Sequence, residues 1–279
     1  MSTIPTVTLN NGVEIPQLGF GVFLVPPEST VETLASAIEI GYRHIDTAQM
    51  YRNEHEVGVA IASSGLGREE FFVTSKLNNN QLGFDAALAG FDKTIAALGI
   101  EVLDLFLIHW PLPTVRDFVP TWQAFERLLA EGRTRAIGVS NFQIAHLQRL
   151  FDECEIVPAV NQIEAHPYLA QNELLAFDAA NGIATEAWSP IGRGAVLSDP
   201  VLVQIGEHHH KTAAQVTLRW HIQRGSIVFP KSMSPARMQE NFEIFDFELS
   251  DEETAEIGAL DRGERVGPDP DTFAMIPPG

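Results

Sequence analysis

Four side chains in the N-terminal half of the chain, Asp46, Tyr51, Lys76 and His109, are of the types that together can place a proton on a carbonyl oxygen. A tyrosine, with an ordinary pKa of about 10, is a poor acid at neutral pH unless a cation stabilises its phenolate. A lysine ammonium about 4 Å away supplies up to roughly 4 kcal/mol at an effective dielectric of 20, at most about three pKa units. Apolar surroundings would strip that lysine of its proton, so a carboxylate such as Asp46 has to pair with it. A histidine beside them can donate to the same carbonyl oxygen or share it. The set suits carbonyl protonation, with a hydride delivered from elsewhere.

Residues so far apart in sequence need a fold that gathers them. Short β-rich runs alternate with helical patterns: "LGFG" from Leu18, "HID" from His44, "FFVTSK" from Phe71, "LDLFLIHW" from Leu103, "AIGVSN" from Ala136, "PAVNQ" from Pro158, "ATEAWS" from Ala184 and "SIVFPK" from Ser226. Helical stretches such as "TVETLASAIEIG", "DAALAGFDKTIAALG" and "TWQAFERLLAEG" lie between them, with Gly41, Gly99 and Gly132 at their ends. An opening hairpin, "TVTLNNGVEI", turns at Asn11-Gly12. Eight strand-helix units with no linker predict one α/β domain over residues 1–279, a (β/α)8 TIM barrel with an N-terminal β-hairpin. An open dinucleotide-binding sheet would need a third glycine that neither "GFGVFL" nor "GRGAVL" contains.

Polar residues fall where the strands end: Asp46, Lys76, His109, Ser140 with Asn141, Gln162 and Lys231. Singly, each reads as a turn or rim residue. Together, at the C-terminal ends of barrel strands, they converge on one mouth, where such folds build active sites.

The net charge of -19 argues against wrapping a nucleic acid, because phosphate backbones need clustered cations. An anionic ligand would then need a local basic group, and "PKSMSPARMQEN" offers one. Ser234 as N-cap and Pro235 at the first helical position put a helix N-terminus there, with Lys231, Ser232 and Arg237 as donors. No apolar run approaches the roughly 20 residues of a membrane helix and no signal-peptide pattern opens the chain, so a cytoplasmic protein without membrane partners is expected. The single cysteine, Cys154, excludes an internal disulfide; flanked by Glu153 and Glu155, it is not expected to be a nucleophile. Neighbouring histidines on a helix diverge, so His208, His209 and His210 are not expected to hold a metal. His166 reads as a structural hydrogen-bonding residue, and Trp220 as packing a helix on the barrel.

In "LGFGVF", "GYRHIDTAQMYRNEHEVG", "TSKL", "DLFLIHWP", "AIGVSNF", "AVNQIEAHPY", "WSPIGRG" and "VFPKSMSPARMQENFEIFDFELS" the chain resembles the aldo-keto reductases over nearly its whole length, most of all short-tailed bacterial members such as the 2,5-diketo-D-gluconate reductases. The resemblance implies a catalytic tetrad of Asp46, Tyr51, Lys76 and His109, with Tyr51 as proton donor and NADPH as hydride source, without metal. It implies that Ser140, Asn141 and Gln162 hold the nicotinamide carboxamide and that Trp188, where most relatives have tyrosine, stacks on the ring. Gly21, Ser189, Pro190 and Gly192 would line the cofactor; Lys231, Ser232 and Arg237 would bind its 2′-phosphate, with Glu240 and Asn241 near the adenine. Phe23, Asn78 and Trp110 would wall the substrate, Asn78 replacing a frequent tryptophan. A short C-terminal tail, "VGPDPDTFAMIPPG", implies a mouth open on that side and a small or polar aldehyde, ketone or dicarbonyl as substrate. A monomer is expected. The alternative is a cofactor-binding regulatory subunit on the same barrel, against which the intact tetrad speaks.

Overall fold

Residues two apart on a strand share a face, so the eight expected strands should separate an inner and an outer core. The structure, a computed structural model, describes residues 4–277; the two ends of the expected 1–279 domain lie outside them. β1 (Thr6–Thr8) and β2 (Glu14–Pro16) form the antiparallel hairpin. Eight parallel strands then follow in chain order: β3 (Phe20–Gly21), β4 (His44–Asp46), β5 (Phe72–Leu77), β6 (Leu103–Ile108), β7 (Thr134–Ser140), β8 (Val160–Glu164), β9 (Ala184–Trp188) and β10 (Ile227–Val228). Between them run α1 (Pro27–Ile40), α2 (Glu54–Ser63), α3 (Phe84–Leu98), α4 (Val119–Ala130), α5 (Ile144–Glu153) and α6 (Asn172–Ala180). α7 (Pro200–His209) and α8 (Ala213–Gln223) both follow β9, and α9 (Pro235–Phe242) and α10 (Asp251–Gly258) follow β10.

The barrel closes through a parallel bridge between Leu18 and Val228, with the Gly19 amide donating to the Val228 carbonyl at 2.7 Å. A Cβ on Gly21 would lie 2.8 Å from the Phe229 carbonyl oxygen, so the seam requires glycine there. The (β/α)8 barrel and its hairpin are as the sequence predicts.

Inside, Phe72, Leu105, Leu107, Ala136, Val160 and Ile227 pack on Leu9 and Ile15 of the hairpin, which plugs the N-terminal end. Outside the strands, Leu34, Phe91, Phe106, Phe125 and Leu147 belong to the cluster beneath the helices. Each such side chain contributes about 1.5–3 kcal/mol by leaving water. Above the apolar base the interior turns polar, with His44, Asp46, Thr74, Lys76, Gln162 and Glu186 all buried. Polar groups placed there must find partners in one another.

Trp220 is buried in the α7, α8 and α10 cluster, its indole NH donating to the Thr254 carbonyl at 3.3 Å. Ser234 does stand at the N-cap of α9, but its side chain makes no capping bond. The buried Ser232 supplies the hydroxyl instead, its Oγ accepting from the Ser234 amide at 3.1 Å. Among the described residues no helix is long and apolar enough to cross a membrane.

Candidate active site

β4 and β5 are paired so that Asp46 lies across from Thr74, two residues before Lys76 on the same inner face. Lys76 Nζ donates to both Asp46 carboxylate oxygens, at 2.7 and 2.8 Å, and to the Thr47 carbonyl at 2.9 Å. Its remaining contact is Tyr51 Oη at 3.4 Å. Tyr51 comes from the short turn after β4, so its phenol reaches back over the mouth, and the ring meets His109 edge to face at 5.8 Å. All four residues predicted to act together are together.

Burial works against the Lys76 ammonium, yet attraction to Asp46 and neighbouring Tyr51 and Glu186 carries its pKa above the ordinary value. Burial pushes the Asp46 carboxyl upward, opposed by Lys76 and by the Gln162 amide. With a bidentate contact to an ammonium, the pair is read as ionised. Burial, with Lys76 nearby, drives His109 well below the usual imidazole value, so its ring is neutral. Tyr51 departs from expectation. Lys76 does pull its pKa down, but burial, reinforced by Asp46, outweighs it and the net direction is upward. Tyr51 is held protonated, and Lys76 helps as the phenolate forms rather than before.

A polar shelf adjoins the tetrad. Asn141, in the left-handed region with φ of 64°, donates to the His109 carbonyl at 2.9 Å and accepts from Trp188 Nε1 at 2.8 Å. Ser140 Oγ donates to the Gln162 carbonyl at 2.9 Å. Gln162 Nε2 donates to Asp46 Oδ2 at 2.8 Å and to Glu186 Oε2 at 2.7 Å, which uses both of its N–H groups and leaves the amide oxygen as its acceptor. A tetrad of one ion pair, a protonated tyrosine and a neutral histidine, beside an indole and fixed amides, is the geometry of a carbonyl site with a planar ring alongside. The family model described as Aldo/keto reductase family matches residues 17–262.

The chain belongs to the aldo/keto reductase family. It is 55% identical over 269 residues to an aldo-keto reductase of Mycolicibacterium smegmatis, covering 96% of this chain and 98% of the relative. It is 49% identical to a glyoxal reductase of Bacillus subtilis, covering 95% and 96%. Among solved structures, an aldo-keto reductase of Bombyx mori in complex with NADP superposes with a TM-score of 0.91 at 35% identity, covering 97% of each chain.

In this aldo/keto reductase the remaining expected residues fall into two groups. Ser189, Gly192, Arg193 and Gly194 all have positive φ, which curls the 189–194 loop after β9; the Pro190 carbonyl accepts from His221 Nε2 at 3.1 Å. Lys231 and Arg237 are exposed at the start of α9, and among the described residues neither forms an ion pair. Asn241 is buried, and Glu240 accepts from Thr212 Oγ1 at 2.8 Å. Gly21 serves the seam described above.

On the substrate side Phe23 packs on Tyr51 with ring centres 5.0 Å apart. Gln49 fixes Asn78 by accepting from its backbone N–H at 2.7 Å while donating to the Gly90 carbonyl at 2.7 Å. The expected open side is closed. Phe273 lies on Trp110 with ring centres 4.3 Å apart, and Asn79 Nδ2 donates to the Met275 carbonyl at 3.0 Å. The tail is short but anchored: the buried Glu164 carboxylate accepts from the Val266 amide and from the Gly267 amide at 3.2 Å. That anchor brings backbone against Trp188, where a Cβ on Gly267 would stand 2.4 Å from Cη2. Gly267→Ala is therefore expected to lower stability by about 1–3 kcal/mol through displacement of the indole, read by urea denaturation; an unchanged midpoint would show the tail to be freely mobile.

Two other expectations meet the structure differently. The Cys154 thiol is pushed up to about 11 by burial and the nearby Glu126 and Glu153. His208 and His209 do not diverge: His208 Nδ1 and His209 Nε2 each lie 2.9 Å from Glu253 Oε1 of α10. At the helix end the two rings reach one carboxylate with opposite nitrogens, so the geometric ground for excluding a metal there fails. His166 fills its structural role, Nε2 lying 3.2 Å from Glu164 Oε1. Glu164, Glu186, Gln49 and Phe273 were missed by sequence reasoning; for Glu186 the signal was present, since it lies two residues before Trp188 on one strand face.

Proposed function

We propose that this chain, as a single barrel domain, reduces small or polar aldehydes, ketones or dicarbonyls to alcohols with NADPH. The observation carrying the reading is the Lys76 ammonium, clasped by Asp46 and aimed at Tyr51 Oη at 3.4 Å, beside a neutral His109. NADPH supplies the hydride to the carbonyl carbon. Tyr51 gives its proton to the carbonyl oxygen as charge develops there, and Lys76 stabilises the phenolate left behind. His109, neutral, orients the same oxygen by donating a hydrogen bond. Phe23 and Trp110 exclude water from the reacting centre, and Asn78 adds a polar wall.

The residues present fit the cofactor. Trp188 offers an apolar face beside the tetrad, its indole NH already satisfied by Asn141, and the amide oxygen of Gln162 remains as an acceptor for a carboxamide. Ser140 and Asn141 complete that group, while Ser189, Pro190 and Gly192 would line the pyrophosphate. In a chain of net charge -19, two exposed cations at a helix N-terminus favour a dianionic phosphate. Lys231, Ser232 and Arg237 would hold the 2′-phosphate, with Glu240 and Asn241 toward the adenine. Similarity to a glyoxal reductase makes a small dicarbonyl one candidate substrate; 2,5-diketo-D-gluconate is a further candidate of the same polarity.

Initial rates of NADPH oxidation across small aldehydes, ketones and dicarbonyls test the reading. Turnover highest with the dicarbonyls is expected, and tight NADPH binding without turnover would favour the regulatory alternative. Arg237→Ala is expected to weaken NADPH by about 10- to 100-fold, the value of one charge-assisted hydrogen bond, and NADH far less. Equal loss for both cofactors, measured by fluorescence titration, would remove the 2′-phosphate assignment.

A further inference from the structure

One buried acid beneath the tetrad has no part in the reaction as proposed. Glu186 lies on the inner face of β9, in register with Gln162 of β8 on one side and Ile227 of β10 on the other. It is completely buried. Its Oε2 accepts from Gln162 Nε2 at 2.7 Å, and the same nitrogen donates to Asp46 Oδ2 at 2.8 Å. Among the described residues its Oε1 has no hydrogen-bond partner, and His44 Nε2 lies 3.9 Å from it.

The neighbours decide which form of the acid belongs there. His44 Nδ1 lies 3.2 Å from the Pro16 carbonyl, an acceptor only, so Nδ1 carries the proton. Burial lowers the His44 pKa to about 4, so the ring is neutral, and Nε2, which accepts from Thr74 Oγ1 at 3.2 Å, has no proton to offer Glu186. A carboxylate Oε1 would therefore be left without a donor, at full desolvation cost. A neutral carboxylic acid avoids most of that cost, having no charge to desolvate. The titratable groups facing Glu186 are His44 and Asp46 of β4 and Lys76 of β5, while β10 contributes only Ile227. Burial first, then the Asp46 charge, raises the Glu186 carboxyl to about 8.

We propose that Glu186 is a positioning residue, held as a neutral acid, that locks the Gln162 amide between the tetrad and the cofactor-facing side, and that its ionisation slows reduction. The proposal rests on the carbonyl-reductase reading for its kinetic part alone. When Glu186 loses its proton to solvent, a second negative charge competes with the Tyr51 phenolate for Lys76. The phenolate that must form as Tyr51 donates is then less stable, and reduction falls. The same charge beside Asp46 repels it across the shared amide.

The test compares kcat at saturating NADPH for wild type and Glu186→Gln from about pH 6.5 to 9.5. The ratio of variant to wild type is expected to rise by about tenfold across that range, because glutamine keeps the Gln162 bond and cannot ionise. A merely structural residue would change kcat by one factor at every pH, and a constant ratio would overturn the proposal. Infrared difference spectra of the unliganded wild type need neither turnover nor the variant. They should show a neutral-carboxyl band lost with a midpoint near pH 8, in an Asp178→Asn background because burial also raises that carboxyl, to about 7. Absence of that band sinks the neutral acid even if the enzyme turns over. The band with no turnover by any carbonyl would instead count against the reductase reading.

Discussion

Replacing Tyr51 by phenylalanine is expected to lower kcat for carbonyl reduction about a thousandfold, within the range for losing a general acid. The substitution removes one oxygen, the atom 3.4 Å from Lys76 Nζ. The ring remains, packed on Phe23 at 5.0 Å and on His109 at 5.8 Å, so the mouth keeps its shape. The groups assigned to the nicotinamide do not touch the phenol oxygen. NADPH affinity should therefore stay within about twofold, since no cofactor hydrogen bond is lost. A variant that keeps more than about a tenth of wild-type kcat would remove Tyr51 as proton donor.

The second large effect concerns stability. Lys76 is fully buried and supplies the only cation bonded to the Asp46 carboxylate among the described residues. Lys76→Met fills similar volume but strands that carboxylate, and breaking a buried pair by removing one partner costs about 3–5 kcal/mol. The cost depends on pH in a definite sense. Burial alone raises the Asp46 carboxyl, and without Lys76 nothing of comparable size opposes it. A carboxyl whose folded pKa lies above its unfolded value of about 4 destabilises the fold increasingly as pH rises through that interval. The gap between variant and wild type should thus be largest near neutral pH and narrow toward about pH 4, measured by urea denaturation across that range. A gap independent of pH would mean that Asp46 is not left ionised in the variant. Activity should vanish at every pH, since the phenolate of Tyr51 loses its counter-charge.

Much of the architecture was legible because its signals are local. The runs "HID", "FFVTSK" and "ATEAWS" alternate or run apolar at strand period, and β4, β5 and β9 fall within a residue of them. Gly99 closes α3 at a φ of 65° because the cap needs a left-handed residue. Asp46, Lys76 and Gln162 point to the inner face of β4, β5 and β8, and a closed barrel brings inner-face residues of strands that are not neighbours together. The tail misled for a physical reason. Residues 266–277 form no helix or strand, so no periodicity marks where they lie; contacts distant in sequence, to Glu164, Asn79 and Trp110, decide it. The histidines misled likewise, because Glu253 comes from another helix and bends two side chains onto itself.

By itself, then, the sequence determined the order of strands and helices, the barrel they close into, and which polar side chains stand at its mouth, since each depends on backbone preference and periodicity over a few residues. Only the tertiary structure decided what those side chains are chemically. Tyr51 is made a weaker acid, not a stronger one; His109 is neutral; Glu186 becomes an acid shared with the tetrad through Gln162. Each of these follows from the loss of water around a group and from partners distant in sequence, and neither quantity exists until the chain has folded.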